Sequence, residues 1–243
     1  MNASTTVAST PTLTSSSSLF TTPKFWELLW RSAGIQSVVF FVIAYFIYGD
    51  QPRLGSSPDT LVAFYDGNRT RILIAAVMFG FAVLNLMWFA AAMRATLADA
   101  GRDGWGAAAT AASAAVGGVL LLLISVSAAL AYSIAGSENR TLLSGLNDLW
   151  WACAVLSSFP RAMLIMAPTF GLWRARLISN AAFAAGVAAV VLGVLGGTTW
   201  ISGGLWAPDG AYSRLVWPAM GLLWVVVVSG FLLTQRPSAR AEW

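Results

Sequence analysis

Long apolar runs dominate this chain and restrict the folds that it can adopt. Six stretches have the character of membrane-crossing helices: 32–48, 72–93, 106–134, 148–172, 177–197 and 215–234. About 20 mostly apolar residues span the hydrocarbon core of a bilayer as a helix. Backbone polar groups in lipid must be bonded within the protein, and a β-barrel would instead show short segments of alternating polarity. The sequence therefore predicts an all-α fold, a polytopic membrane bundle of about six transmembrane helices.

The composition argues against an ordinary water-soluble globule. Charged residues make up only 10% of the chain, hydrophobic residues 58%, and the mean hydropathy is +0.72. Soluble domains carry about 25% charged residues. The net charge of +4 comes from basic residues scattered between the apolar runs, without the clustered basic face that nucleic acid binding requires. We expect a multi-pass protein of the cell membrane (a bacterial inner or plasma membrane), with the lipid bilayer and not nucleic acid as its partner.

The absence of histidine restricts the chemistry that the chain can support. Haem ligation by histidine, the usual zinc and copper sites and histidine proton relays all need an imidazole. Cys153 is the single cysteine, so neither an intrachain disulfide nor a cysteine-based metal site can form. A membrane enzyme would have to rest its chemistry on loop aspartates and arginines. We therefore expect a protein that is not an enzyme, with no catalytic residue, no metal site and no cofactor.

The chain divides into one membrane domain and two terminal segments. Residues 1–23 are rich in serine and threonine and nearly uncharged, which predicts a disordered tail. Residues 24–235 form the predicted six-helix domain, and 236–243 form a short polar tail. A short helix is expected over 58–65, because Ser57-Pro58-Asp59 supplies an N-cap, a proline at the first helical position and an acid in the first turn.

Basic residues are distributed unequally between the two sides that six crossings would define. The side of the termini would hold Lys24, Arg31, Arg94, Arg102, Arg174, Arg176, Arg236 and Arg240, and the opposite side Arg53, Arg69, Arg71, Arg140 and Arg214. Loops that stay in the cytoplasm carry an excess of lysine and arginine. This asymmetry predicts that the N- and C-termini are both cytoplasmic.

One predicted crossing, 148–172, carries a charge in its interior. Arg161 lies there between Pro160 and Pro168, in an otherwise apolar stretch. An arginine at the centre of a membrane helix costs about 2.5–3.5 kcal/mol on insertion scales, so it marks a site that has a partner. Arg161 is predicted to bind an anionic group in a bundle cavity or to gate an ion path. Two structural interpretations stay open: Arg161 bonds carbonyls that the prolines free, or the helix ends near Phe159 and Arg161 is interfacial.

Other polar residues are weaker candidates for a site. Asn85 and Tyr132 lie within the second and third runs and are predicted to join Arg161 in a ligand site, although an interhelical hydrogen bond is the more common role of an asparagine such as Asn85. The loop between the first two runs supplies a predicted polar cluster of Asp66, Arg69 and Arg71. Mixed charges of this kind are more often solvated loop residues that form weak surface pairs.

Small residues recur at four-residue spacing in two of the runs. Ala189, Gly193 and Gly197 follow this pattern in the fifth run, and Ala114 and Gly118 in the third. Small residues let membrane helices approach closely. We expect both sets to pack inside the bundle, with contact to a membrane protein partner or a homo-oligomer as the alternative.

Several short stretches resemble those of a known group of proteins. They are Tyr48–Arg53 (YGDQPR), Phe64–Arg71 (FYDGNRTR), Ser144–Asp148 (SGLND) and Trp206–Tyr212 (WAPDGAY). Together they make the span 25–235 resemble a group of uncharacterised six-helix bacterial membrane proteins of actinobacterial type. The resemblance implies the fold and the topology, and no activity comes with it.

Two functions remain open at the level of the sequence. The first is a small binding or transport-type bundle that accommodates a lipophilic or anionic molecule near Arg161. The second is a non-catalytic scaffold or accessory membrane subunit that packs against a partner through its Gly- and Ala-rich helices.

Overall fold

The computed structural model describes residues 23–137, 139–201 and 203–235. The tail predicted over 1–23 lies outside these ranges apart from Pro23, which begins the first helix, and the segment 236–243 lies outside them entirely. All regular secondary structure in the described residues is helical. The helices are α1 Pro23–Arg31, α2 Ala33–Tyr48, α3 Pro58–Tyr65, α4 Arg69–Asp99, α5 Asp103–Ala129, α6 Arg140–Leu156, α7 Ser158–Arg174, α8 Asn180–Gly196 and α9 Trp217–Thr234, with π-helical turns at Leu130–Ile134 and Tyr212–Val216.

Four helical spans are long and apolar enough to cross a membrane: Arg69–Asp99, Asp103–Ile134, Arg140–Arg174 and Tyr212–Thr234. A fifth results if α1 and α2, which are bent by 53° relative to each other, form one span. The remaining predicted crossing corresponds to α8, a shorter apolar helix of 17 residues. The all-helical class is confirmed with four to five candidate spans. The count of six and the cytoplasmic termini stay predictions.

The outward-facing surface of these helices is strongly apolar. Phe46 on α2 is 76% exposed, and Leu223 and Val227 on α9 are each about 60% exposed. Large apolar side chains exposed in continuous bands are typical of a surface that meets lipid or a partner. The bundle is therefore compatible with a membrane protein.

The bundle has two distinct ends. One end carries α3, the C-terminus of α2 and the N-termini of α4 and α6, and is called the α3 end. The other carries the C-termini of α4 and α7 and the N-terminus of α5, and is called the Arg102 end. Helix α8 runs antiparallel to α7, because Gly186 lies against Thr169 and Gly196 lies against Ser158.

The short helix predicted over 58–65 is confirmed as α3. The Ser57 hydroxyl accepts a hydrogen bond from the Thr60 N–H at 3.3 Å, which satisfies one of the free donors of the first turn. Leu61 and Tyr65 are fully buried, and the Tyr65 hydroxyl donates to Asn147 of α6 at 3.1 Å. Burial raises the pKa of the Tyr65 hydroxyl above its ordinary value, so this group stays a hydrogen-bond donor well above neutral pH. Helix α3 is thus held against α6 by this hydrogen bond.

The fourth predicted crossing differs from the structure. The helical span covers Arg140–Arg174, 35 residues, with a break at Ser157. At 1.5 Å per residue such a span is roughly 50 Å long, well over a hydrocarbon core of about 30 Å. Of the two helices in this span, only α7 lies alongside α8, and α6 continues beyond the end of α8, where it packs on α5 and α3. Pro160 lies in the first turn of α7, where its missing N–H is not needed, and Pro168 lies inside that helix.

The small residues of α8 pack as predicted, whereas those of α5 do not. Ala189, Gly193 and Gly197 are buried. Ala114 and Gly118 are exposed on the outside of the bundle. The face of α5 that packs inside the bundle is therefore a different one from the face predicted. Small residues occupy several faces of this helix, so their spacing alone does not identify the buried face.

Candidate functional site

A cavity of about 540 Å³ lies between α2, α4, α5, α6–α7 and α9. Pockets that hold small molecules typically measure about 300–1,000 Å³. Toward the Arg102 end the lining is apolar and includes Val38, Leu86, Val116, Leu120 and Val225. Toward the α3 end it contains polar and charged side chains, among them Asp50, Gln51, Arg161, Ser213 and Arg214, and the hydroxyl groups of Tyr48, Ser127 and Ser158 also line it.

Arg161 lines this cavity from the first turn of α7. One of its terminal nitrogens, Nη2, donates to the Ala154 carbonyl at 3.3 Å and to the Ser157 hydroxyl. The last carbonyls of a helix carry partial negative charge, so the guanidinium stabilises the C-terminus of α6. The carbonyls of Leu156 and Leu164, four residues before Pro160 and Pro168, do not accept from it. The side chains of Asn85 and Tyr132, which were predicted to join Arg161, do not accept from it either.

Arg161 keeps unused donor capacity. Its Nε is buried without a hydrogen-bond partner, and none of the ion pairs between described residues includes it. Ser158 lies level with Gly196 at the end of α8, and Arg161 follows about 4.5 Å further along the helix axis. The charge therefore lies less than one helical turn inside the level at which α8 ends.

Gln51 is a second polar group without a partner. It is only 7% exposed, lines the cavity, and neither its amide nitrogen nor its amide oxygen is hydrogen-bonded. The indole Nε1 of Trp217, also in the lining, is buried and unpaired. Most buried polar groups are hydrogen-bonded, and an unsatisfied one costs about 1–3 kcal/mol. These atoms are therefore suited to receive the polar part of a bound molecule.

The three unpaired groups lie at the same end of the cavity. The carbonyl of Pro52, next to Gln51, accepts from the Trp151 indole at 3.0 Å. Ala154, which accepts from Arg161, lies one helical turn after Trp151. A Cβ atom at Gly193 would meet both the Trp217 ring and Ala162. Trp217 is therefore close to the residue that follows Arg161. We call Gln51, Arg161 and Trp217 the polar end of the cavity.

An ion pair lies at the rim of the polar end. Arg214, just before α9, pairs with Asp50, just after α2, and joins these two helices at the α3 end. The Asp50 side chain is 79% exposed, so the pair is worth at most about 1 kcal/mol. The charged residues in the lining are two arginines and one aspartate, which leaves one net positive charge at Arg161.

The cavity also reaches the outer surface of the bundle. Exposed apolar residues contribute to its lining, namely Val42 and Phe46 from α2 and Leu215 from the turn before α9. A cavity with an apolar body, a lateral opening and a cationic polar end is complementary to an amphipathic molecule.

The other predicted ligand residues lie outside this site. The Asn85 amide donates to the Phe81 carbonyl of its own helix at 2.8 Å. Tyr132 is 63% exposed, and the Arg69 guanidinium lies 4.7 Å from the centre of its ring. Neither residue lines the cavity of Arg161, so the structure does not bring the three predicted ligand residues together.

The predicted cluster of Asp66, Arg69 and Arg71 separates into individual contacts. Asp66 follows the last turn of α3, and Arg69 lies over Tyr132. Arg71 donates from Nε to the Ile47 carbonyl and from Nη2 to the Tyr48 carbonyl at 3.1 Å, and so caps the C-terminus of α2. None of the ion pairs between described residues joins the members of this cluster.

No pattern in the sequence connects Arg161 to Gln51, Arg214 or Trp217. Gln51 lies in a polar loop, and Trp217 has the appearance of an interfacial anchor. Only the opposite charges of Asp50 and Arg214, each adjacent to a crossing on the same predicted side, could have suggested a pair.

Comparison with protein-family models, with curated proteins and with solved structures found no match to this chain. The resemblance to six-helix bacterial membrane proteins therefore stays an expectation, and the function is inferred from the geometry of the cavity.

Proposed function

We propose that this protein is a binding or transport-type membrane bundle whose ligand is an amphipathic molecule of the bilayer. The apolar part of the ligand occupies the cavity, and its anionic or polar group contacts Arg161 and Gln51. A single observation carries the proposal: unpaired, buried donors of Arg161 and Gln51 line the same, mostly apolar cavity of about 540 Å³.

The physical basis is the cost of leaving these groups unsatisfied. An arginine without a counter-charge in a bilayer costs about 2.5–3.5 kcal/mol on insertion scales. An anionic group that accepts from guanidinium N–H donors forms short, charge-assisted hydrogen bonds. A bound anion therefore offsets the cost of Arg161, and the lateral opening lined by Phe46 and Leu215 gives it access from lipid.

We place the protein in the plasma membrane of a bacterium, with both termini in the cytoplasm and six crossings, α8 being the short one. The unequal distribution of basic residues supports this orientation, since the side of the termini would hold eight of them and the opposite side five. Cysteine scanning of the loops with a membrane-impermeant thiol reagent tests it. Labelling of a cysteine at position 176 from outside intact cells would contradict the proposed orientation and indicate the reverse one.

Filling the cavity tests the proposed function. Gly221 lines the cavity with nothing within 4 Å of the position that a Cβ would take, so Gly221→Phe is expected to enter empty space and displace the ligand. Native mass spectrometry of the purified protein should show co-purified lipid on the parent and little on this variant. Gly230→Phe is the matched control, because Gly230 is on the same helix, equally open, and outside the lining. Equal lipid occupancy in both variants would contradict binding in this cavity.

The scaffold function is the alternative, and one observation favours it. An exposed stripe of small residues runs along α5 and would let another helix approach closely. It consists of Ala107, Ala111, Ala114 and Gly118. Gly118→Leu is then expected to remove a partner band or an oligomer on native gels while lipid occupancy stays unchanged. If the parent is monomeric and Gly118→Leu migrates identically, the scaffold function loses its support.

A further inference from the structure

Two helices end in the same type of turn at the Arg102 end. At the end of α4, Arg102 N–H donates to the Leu97 carbonyl at 2.7 Å, and Gly101 N–H donates to the Ala98 carbonyl. At the end of α7, Leu177 N–H donates to the Leu172 carbonyl at 2.9 Å, and Arg176 N–H donates to the Trp173 carbonyl. Both pairs of bonds define a Schellman motif, which places one residue in the left-handed conformation.

The left-handed position is filled differently in the two turns. Gly101 occupies it in α4 with φ of +70°, and Arg176 occupies it in α7 with φ of +57°. Arg176 is the one non-glycine residue with positive φ among the described residues. A Cβ is crowded in this conformation, which is why glycine is preferred there. Strained residues of this kind cluster at functional sites, where the side chain is needed.

Both turns direct arginines into one recess. Arg102, Arg174 and Arg176 line an open recess of about 520 Å³ together with Trp173 and Asn180. Arg102 Nη2 donates to the Arg174 carbonyl at 3.2 Å, which connects the two turns. No aspartate or glutamate is among the described residues that line it, and none of the described ion pairs includes these three arginines.

The remaining wall of the recess consists of Trp173 and Asn180, a pair suited to the membrane interface. The Trp173 indole donates to the Asn180 amide oxygen at 2.9 Å and stacks on Phe183 with ring centres 4.3 Å apart. Tryptophan at the ends of membrane helices lies at the level of lipid headgroups. The Asn180 amide oxygen is occupied by this bond, which leaves the amide nitrogen as a donor toward an anion.

We propose that this recess is a phosphate-binding site, distinct from the cavity of Arg161 and at the opposite end of the bundle. Guanidinium groups match phosphate oxygens through paired hydrogen bonds, and basic pockets between membrane helices bind anionic headgroups. The phosphate belongs either to an acidic phospholipid or to a soluble phosphate compound. The arginine at position 176 is present in place of the glycine that the turn prefers because its guanidinium binds this group.

Arg176→Gly separates binding from folding, because glycine relieves the strained turn. We expect its melting temperature in detergent to be equal to that of the parent or higher by about 1–3 °C. Its affinity for phosphatidylglycerol, titrated by native mass spectrometry against phosphatidylcholine, is expected to fall about fivefold. Arg102→Gln, which leaves the turn at Arg176 intact, should lower the affinity similarly.

Arg53→Gln is the matched control, because Arg53 is exposed at the α3 end and its side chain has no ion pair in the described part of the chain. It should leave the phosphatidylglycerol affinity nearly unchanged. If Arg53→Gln lowered this affinity as much as Arg176→Gly does, the proposal would be overturned in favour of general charge attraction. A more stable Arg176→Gly with unaltered affinity would overturn it too. A competition experiment distinguishes the two sources of phosphate. If inorganic phosphate raises the melting temperature of the parent and competes with phosphatidylglycerol, the site binds soluble phosphate. If phosphatidylglycerol binds without such competition, the ligand is the lipid headgroup.

Discussion

Replacing Arg161 by leucine is expected to remove most of the lipid that co-purifies with the protein while changing its stability little. Hydrogen bonds to charged groups are worth about 1.5–3 kcal/mol each, so ligand affinity should fall about 10- to 100-fold. The folded protein loses the bonds from Arg161 to Ala154 and Ser157. The substitution also removes a charge without a counter-ion, whose presence costs about 2.5–3.5 kcal/mol. The first effect destabilises the folded protein and the second stabilises it, so the two oppose each other.

Two further variants make the Arg161 result interpretable. Arg161→Lys keeps the charge without the planar guanidinium, and we expect intermediate lipid occupancy by native mass spectrometry. Arg140→Leu removes a charge at the α3 end that pairs with Asp59 outside the cavity, and occupancy should not change. If Arg161→Leu unfolds in detergent while Arg140→Leu does not, Arg161 serves chiefly to cap α6. Full lipid occupancy in a folded Arg161→Leu would show that the ligand does not contact this residue.

Replacing Gly193 by alanine is expected to destabilise the bundle, although alanine is ordinarily the better helix former. The new Cβ would collide with the ring of Trp217, which is only 2% exposed, and would crowd Ala162. Overpacking a tight contact between helices costs about 1–3 kcal/mol, which exceeds the gain of up to about 1 kcal/mol from removing a helical glycine. Thermal unfolding in matched detergent should show a decrease of several degrees.

Gly80→Ala is the control for this prediction. Gly80 is also inside a helix, but nothing lies within 4 Å of its Cβ position. This substitution should leave the melting temperature unchanged or raise it slightly, because the added methyl group meets no neighbour and helix propensity alone decides the outcome. Equal stability of the two alanine variants would mean that α7, α8 and Trp217 are not in close contact, and that the polar end of the cavity is looser than the structure shows.

The class of fold and several local features were predictable because they depend on neighbouring residues. Apolar runs of sufficient length predict helices that could span a membrane, and four to five of them are present. Ser57 caps α3 as its position before Pro58 and Asp59 predicted, since N-capping involves atoms only three residues apart. The glycine spacing of α8 predicted its packed face, because valine and leucine occupy the other positions from 190 to 195.

The break between α6 and α7 was not predictable with the same accuracy. Pro160 and Pro168 indicated a kinked crossing around Arg161, whereas the helix is interrupted at Ser157 and α6 packs on α5 and α3. The position of a break depends on where the helix meets its partners. Ser158 is level with the end of α8 through contacts between residues nearly 40 positions apart.

Arg161 is recognisable as a charge within an apolar helix from one segment of the sequence alone. What surrounds this charge depends on the tertiary structure. Gln51, Arg161 and Trp217 come from three distant segments, and their buried polar atoms line one cavity without partners. The same holds for Arg102 and Arg176, whose recess forms where two helix ends meet. Whether a polar atom has a partner depends on the packing of all surrounding helices, and no local pattern of residues contains that information.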